Sequence, residues 1–322
     1  MSNTKETCET YYGWTKDDSV RMNSSSGGFF TELANYVLKQ QGIVIGAYFD
    51  PATKTVRHGS SDVISIEQMR KSKYVESDMT EVIPTIKAAV SQKRKVMFCG
   101  TPCQCAGLRT LFGSTEQIIL CDFFCHGVPS AKVFQDFLEL KEAQHKSGIL
   151  DYQFRTKDFG WNQYGVKAIY ENGETERTVG RCEFYYTAAM LRNEFLRESC
   201  YTCDKAMYHS SDFTIGDFWG VNQMEMPKDG KKGISAVVVN TEYGKEILQD
   251  LMENFELHDL PKHFLEYAFR VKTGDKKIQD RNLKFLEYNK VGIEKYIKKY
   301  YANQLLLSRV MFMLKKQKLR RG

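Results

Sequence analysis

KVMFCGTPCQCAGLRTLFG, residues 95–113, runs from four apolar residues through a Gly-Thr-Pro turn into a helical pattern. VMFC reads as a short buried strand. Pro102 falls where a first-turn proline opens a helix, because that position needs no N–H and favours the φ that proline already holds. IILCDFFCHGVPS, residues 118–130, has the same form: an apolar strand, then Cys125-His126-Gly127, then a helix starting near Ser130. Upstream, SSSGGFFTELANYVLKQQG (24–42) offers capping serines and places Phe29, Phe30, Leu33, Val37 and Leu38 at helical spacing before Gly42. IVIGAYF (43–49) reads as a strand. SDMTEVIPTIKAAVSQ (77–92) reads as a helix, with Asp78 and Glu81 at capping-box spacing. Such alternation implies an α/β (α+β) chain with a mixed, partly parallel sheet flanked by helices.

The pattern changes near residue 150. VKAIYENGETERTV (166–179) reads as a hairpin with Asn172-Gly173 as a two-residue turn. EFYYTAAMLRN (183–193) reads as a helix, and GISAVVVNTEYGKEILQDLMENF (233–255) as a strand leading into a helix. The remainder is mainly helical and charged. The expected division is an α/β half (1–150), a β-rich half (151–254) and a helical basic C-terminal region (255–322).

Composition is that of a globular protein: 322 residues, 42% of them hydrophobic, with no low-complexity tract. No apolar run reaches the ~18 residues of a membrane span, and MSNTKETCET lacks a signal-peptide pattern. The expected location is the cytoplasm, where thiols stay reduced, so nine cysteines point to metal or redox chemistry rather than a disulfide framework. The net charge of +6 is concentrated near the C-terminus, where Lys315, Lys316, Lys318, Arg320 and Arg321 follow LLLSRVMFML. That tail suits peripheral contact with an acidic membrane surface or a partner, against the plainer reading of a solvated terminal helix. Basic residues are otherwise dispersed and no nucleic-acid motif accompanies them, so nucleic acid is not an expected partner.

In a parallel sheet the carboxyl ends of all strands share one edge, where ligands usually bind. Cys103 and Cys125 each follow a strand end and are therefore expected at one crevice. Cys99 and Cys121, inside the strands, suit small core residues. Cys200 and Cys203 form a Cys-x-x-Cys and complete four thiolates, the number required by a zinc ion or a [4Fe–4S] cluster. Spacing leaves that choice open, and Cys105 is an alternative to Cys103 in the same turn. A Cys-His nucleophile using Cys103 or Cys125 with His126 is disfavoured, since no oxyanion hole or orienting group is marked.

Weaker signals surround these. Ser24 to Gly28, before a helix, suits a phosphate or simply caps the helix. Arg70-Lys71-Ser72-Lys73-Tyr74 reads as a solvated charge run. Phe154 to Lys157 with Gly160-Trp161 can hold an anionic planar ligand. Ser211 to Gly220, dense in aromatics and acids, either walls the same cavity or forms a buried aromatic knot.

SSSGGFF, RKSKYVESD, FCGTPCQCAGL, CDFFCHGVPS, FRTKDFGW, ESCYTC and SDFTIGDFWG together resemble the beta subunit family of coenzyme F420 hydrogenase/dehydrogenase, from about residue 20 to 245. The resemblance implies an iron–sulfur flavoprotein oxidoreductase with FAD and a [4Fe–4S] cluster, the cluster cysteines falling on Cys103, Cys125, Cys200 and Cys203. It implies flavin contacts at Ser25, Ser26, Gly27 and Gly28, with Lys73, Tyr74, Gly100, Thr101 and Pro102 as looser candidates. The implied activity passes electrons between a hydride donor or acceptor and the cluster, with coenzyme F420 or another small molecule as substrate. No catalytic acid or base is identified.

Many members carry an N-terminal ferredoxin segment, whereas here Cys8 is the only cysteine before residue 99, which implies a separate ferredoxin or electron-transfer subunit as partner. Some bacterial relatives occur beside polysaccharide synthesis enzymes, where the deazaflavin coenzyme is not expected. The competing reading is a non-catalytic, metal-stapled scaffold or partner subunit using the same four cysteines.

Overall fold

A computed structural model describes residues 9–204, 209–220, 230–263, 265 and 275–319, so Cys8 lies outside the described residues. Twelve strands occur among them: β1 (Glu9–Thr15), β2 (Ile43–Asp50), β3 (Thr55–Ser60), β4 (Ser77–Asp78), β5 (Val96–Cys99), β6 (Ile118–Phe123), β7 (Ile149–Thr156), β8 (Gly165–Tyr170), β9 (Thr175–Val179), β10 (Phe213–Asp217), β11 (Ser235–Val239) and β12 (Phe255–Asp259). Nine make one sheet in the order β12-β1-β11-β10-β6-β5-β2-β3-β4, and β7, β8 and β9 make a second. The middle of the large sheet is parallel, β10 to β6, β6 to β5 and β5 to β2. Antiparallel neighbours flank it, β11 beside β10 and β3 beside β2. The expected mixed, partly parallel sheet with flanking helices is therefore present.

Side chains alternate across β5 and β6, and both faces are covered. Met97, Ile119 and Cys121 pack under Phe29, Leu33 and Val37 of the helix Phe29–Lys39. Val96, Phe98, Ile118 and Leu120 pack against Val82 and Ile86 of the helix Val82–Ser91 and against Leu108 of the helix Pro102–Phe112. This two-sided burial explains why these strands are continuously apolar. β10 reaches the middle of the sheet from far along the chain and is clamped there by buried acids. Asp212 accepts from the Leu120 N–H at 2.8 Å and from Arg109 at 3.0 Å. Asp122 accepts from Thr214 Oγ1 at 2.6 Å and from His209 Nδ1 at 2.8 Å.

Three local expectations change. Asp78 caps nothing, because it lies in β4 and accepts from the Thr80 N–H at 2.9 Å, and the helix begins at Val82 without a side-chain cap. The β8–β9 hairpin turns through three residues, Glu171 to Gly173. The Tyr170 carbonyl accepts from the Gly173 N–H at 3.0 Å, the Tyr170 N–H donates to Glu174, and Gly173 sits at φ +85. Asn172-Gly173 thus serves a type I turn closed by a left-handed glycine. The stretch 183–193 divides into a short helix, Phe184–Tyr186, and a π-helical turn, Thr187–Leu191. Strands β1, β7, β10 and β12 have no clear signal in the sequence. The C-terminal helices Asp275–Val291, Ile293–Tyr300 and Ala302–Leu319 agree with the pattern. No helix of the described residues is long and apolar enough to cross a membrane.

Candidate functional site

The turn after β5 is closed by a capping box. The Thr101 N–H donates to Gln104 Oε1 at 2.8 Å, the Gln104 N–H returns to Thr101 Oγ1, and Pro102 occupies the first turn. Helical periodicity then separates the two cysteines that follow. Cys103 is exposed, whereas Cys105 is fully buried against the β5–β6 core. Cys105 is therefore no substitute for Cys103 at a surface site.

After β6 the chain turns at Cys125-His126-Gly127. Gly127 has φ +105, and a Cβ there would meet Leu196 Cδ1 at 2.6 Å, so only glycine permits the close approach. That approach aligns a second segment. Pro129 pairs with Leu196, the Ser130 N–H donates to Phe195 at 2.9 Å, and the Arg197 N–H donates to Val128 at 2.8 Å. The ladder leads into the turn Glu198–Tyr201 and so brings Cys200 and Cys203 beside Cys125.

Cys103, Cys125, Cys200 and Cys203 line one cavity of about 410 Å³, with Pro102 on its wall and Arg192, Lys277, Arg281 and Lys284 around it. Burial pushes the Cys125 thiol up to about 12, and the other three cysteines add to that. Burial also raises Cys200, with Cys203 and Cys103 contributing. Two backbone donors oppose these rises, Gly127 at Cys125 and Val128 at Cys200. Burial and neighbouring sulfurs thus disfavour the Cys125 and Cys200 thiolates, a penalty that a positive centre would relieve by displacing the protons. Among the described residues no group of three or more His, Cys, Asp or Glu side chains could hold a single metal ion. A zinc site would need its sulfurs ~2.3 Å from one point. A cubane cluster carries its thiolates at wider corners than a single ion does.

A second cavity, of about 670 Å³, adjoins the first. Cys125, His126, Gly127, Val128 and Asn193 line both. Ser25, Ser26, Gly28, Lys73, Tyr74, Gly100 and Thr101 line the second cavity, whereas Pro102 faces only the first. Gly27 lies behind the wall: its N–H donates to Ser235 Oγ at 2.9 Å, and a Cβ would collide with the Gly13 carbonyl oxygen. Gly28, at φ +97, opens the helix Phe29–Lys39. The serines are tied down by Ser25 Oγ to Ser72 Oγ at 3.1 Å and Ser26 Oγ to Ser235 Oγ at 2.9 Å.

The basic stretch 70–74 is not the solvated run its composition suggests, because all five residues line this cavity. Lys73 Nζ donates to the carbonyls of Gln68, Met69 and Arg70, which closes the short helix Ile66–Met69. Burial draws Lys73 down to about 7. Three carbonyl acceptors match the three donors of an ammonium and favour the charged form. From the aromatic-basic stretch, Phe154 joins the core and Arg155 lines the cavity. Lys157 donates to the Arg21 and Ser26 carbonyls at 2.5 and 2.8 Å, bracing the serine turn. Trp161 stacks on Trp219 with ring centroids 5.4 Å apart, and its Nε1–H donates to Asp217 at 3.3 Å.

Cys121 is fully buried, and its contact with Cys99 and its burial push its thiol well up. Cys99 is half-buried, packs against the same core cluster and also lines the second cavity, so the core role expected of both thiols holds fully for Cys121 and in part for Cys99. His58 carries no signal in the sequence. On β3 it reads as a polar residue of an exposed alternating strand, yet it is 7% exposed, stacks on Phe98 and places Nε2 3.1 Å from the Cys99 carbonyl oxygen. Burial draws its pKa down to about 4. Gln104 does carry a readable signal, the Thr-x-x-Gln spacing of a capping box.

A family model for the C terminus of the coenzyme F420 hydrogenase/dehydrogenase beta subunit matches residues 93–263, just over half of the chain. No curated protein matches the chain significantly. A chain of the F420-reducing [NiFe] hydrogenase complex from Methanosarcina barkeri is similar in structure, with a TM-score of 0.55. The match has 18% sequence identity and covers 89% of this chain and 94% of that one. At that identity the likeness shows a common fold.

Proposed function

This chain belongs to the coenzyme F420 hydrogenase/dehydrogenase beta subunit family, and on that premise we propose that it is an iron–sulfur flavoprotein oxidoreductase working with a partner electron-transfer protein. Cys103, Cys125, Cys200 and Cys203 are the proposed ligands of a [4Fe–4S] cluster in the first cavity. The second cavity is the proposed site of FAD, with Ser25, Ser26, Gly28, Lys73, Tyr74, Gly100 and Thr101 around it and Gly27 and Pro102 shaping the turns behind. A flavin exchanges electrons in pairs as hydride or one at a time, and the cluster takes one at a time; these are the chemistries the two groups supply when bound.

The observation that carries this reading is the wall common to both cavities. The segment Cys125 to Val128 borders the thiols on one side and the serine-lined space on the other. Groups held on either side would be separated by little more than one turn of backbone. The chain's own part is positioning. The Gly127 and Val128 N–H groups aim at the Cys125 and Cys200 sulfurs, an interaction that tunes a cluster's potential. The serine turn and the cationic stretch 70–73 suit the phosphates of a dinucleotide. A scaffold stapled by metal leaves the second cavity without a purpose.

Anaerobically purified protein should be brown, with about four irons per chain, one flavin, and a flavin absorption that bleaches on addition of a hydride donor. Colourless protein with one zinc and no flavin ends the proposal. The natural hydride donor, coenzyme F420 or another small molecule, would be identified by screening reduced carriers against the bleaching.

A further inference from the structure

Arg155 is 5% exposed and lines the second cavity. One terminal nitrogen, Nη1, is ion-paired with Asp217 and lies 3.5 Å from the Tyr74 hydroxyl. The guanidinium carbon sits 4.5 Å from the centroid of Tyr164 and 5.5 Å from that of Trp219, so aromatic rings fix the plane of the group. The other terminal nitrogen, Nη2, is buried and has no hydrogen-bond partner. A buried guanidinium N–H without an acceptor is costly, and Arg155 cannot avoid the cost by losing its proton. Burial works against its charge, and the Asp217 carboxylate more than restores it, so the cation persists at any working pH.

His58 presents the complementary case in the same cavity. Its Nε2 faces the Cys99 carbonyl oxygen, which can only accept, so in the neutral ring Nε2 bears the proton and Nδ1 is a bare acceptor. Nδ1 is also buried without a partner. Two residues that line the cavity thus carry one unsatisfied cationic donor and one unsatisfied neutral acceptor. Such a pair suits a ligand that has both an electron-rich oxygen and an N–H or O–H.

We propose that Arg155 is a positioning and charge-compensating residue whose Nη2–H donates to the carbonyl edge of the bound flavin ring, with His58 accepting a hydrogen bond from the same ligand. This rests on the flavoprotein reading. A hydride delivered to a bound flavin would bring two electrons and one proton and leave one negative charge. The fixed Arg155 cation would hold that charge without a second proton, so that reduction would take one proton for two electrons. The Asp217 pair and the Tyr164 and Trp219 rings keep the guanidinium in place in both states.

The test compares purified, cluster-containing wild type with two variants. Arg155→Lys keeps the charge and loses the fork. The double variant Arg155→Met with Asp217→Asn removes both buried charges together, which avoids leaving a lone carboxylate. Circular dichroism and iron content establish folding. FAD affinity is measured by titration of the deflavinated proteins, and the flavin midpoint potential is followed against pH. The expected results are a roughly ten- to hundred-fold rise in Kd for FAD in the double variant and a doubling of the pH slope, from one proton per electron pair to two. Arg155→Lys should fall between. Folded variants that bind FAD as tightly as wild type, with the same pH slope, overturn the role of Arg155 and leave the flavoprotein reading intact. Wild type that binds no FAD overturns both.

Discussion

The two adjoining cavities are assembled by different means. The thiol-lined one is made from short motifs. Each places its cysteine by local geometry: a capped helix turn for Cys103, a glycine turn for Cys125, and one turn for Cys200 and Cys203. A single short backbone ladder brings the Cys125 turn beside that of Cys200 and Cys203. The second cavity has no such local unit. It collects a serine turn after β1, residues of β2 and β3, the end of β10, and Arg155 of β7. Where a site is built from motifs its residue types announce it, and where it is built from surfaces they do not.

That contrast can be broken by removing a residue that belongs to both cavities. Cys125→Ser should abolish iron binding and disturb flavin retention, because the same turn borders the two spaces. Iron analysis and the flavin-to-protein ratio of anaerobic preparations read both losses. Retention of full iron content by Cys125→Ser removes the cluster assignment.

Acid should weaken the second cavity through His58. Its folded pKa, about 4, lies below the unfolded value of 6.5. The unfolded chain therefore binds the proton first, and stability falls as pH drops from about 6.5 to about 4, then levels off. The loss attributable to His58 is about 3 kcal/mol. Urea midpoints measured across that range should decline more in wild type than in His58→Gln. Equal slopes would show that His58 is not buried neutral.

Gly28→Ala sharpens the comparison from the other side. It forces an alanine into a left-handed backbone and brings its Cβ to 2.7 Å from Thr15 Cγ2. A loss of about 2 kcal/mol is expected, along with weaker flavin retention and unchanged iron. Thermal unfolding and cofactor ratios check it. The smallest effect is expected from Cys99→Ser, a half-buried thiol outside the ligand set. It should keep all its iron and lose less than about 1 kcal/mol. Cys121→Ser, fully buried, should also retain iron but be less stable than Cys99→Ser because its hydroxyl is enclosed in the core. Iron loss in either variant would mean that the cysteines divide differently.

How legible the molecule is depends on burial and sequence distance. Strands β5 and β6 are readable because both of their faces are covered, which leaves continuous apolar runs. β1 and β10 are not: ETYYGWT and FTIGD mix aromatics, glycine and polar residues, and they become strands by pairing with β11, more than two hundred residues from β1. The Asp78 cap fails because β4 pairing with β3 claims the residue first. Among site residues, the four cysteines are rare, chemically distinctive and placed by short motifs. His58 and the stretch 70–74 are common polar types whose burial comes entirely from neighbours distant in sequence.

The sequence by itself determined the strand-turn-helix units, the glycine and proline turns that end them, and the segregation of Cys103 and Cys125 to strand ends, since these follow from nearest-neighbour sterics and periodicity. Only the tertiary structure decided that the 125–128 turn would be a wall with a cavity on each side. It alone also decided that Arg155 and His58 would be shut in with hydrogen-bonding atoms unsatisfied. The physical reason is that burial and pairing depend on contacts between segments far apart in the chain, which no local pattern encodes.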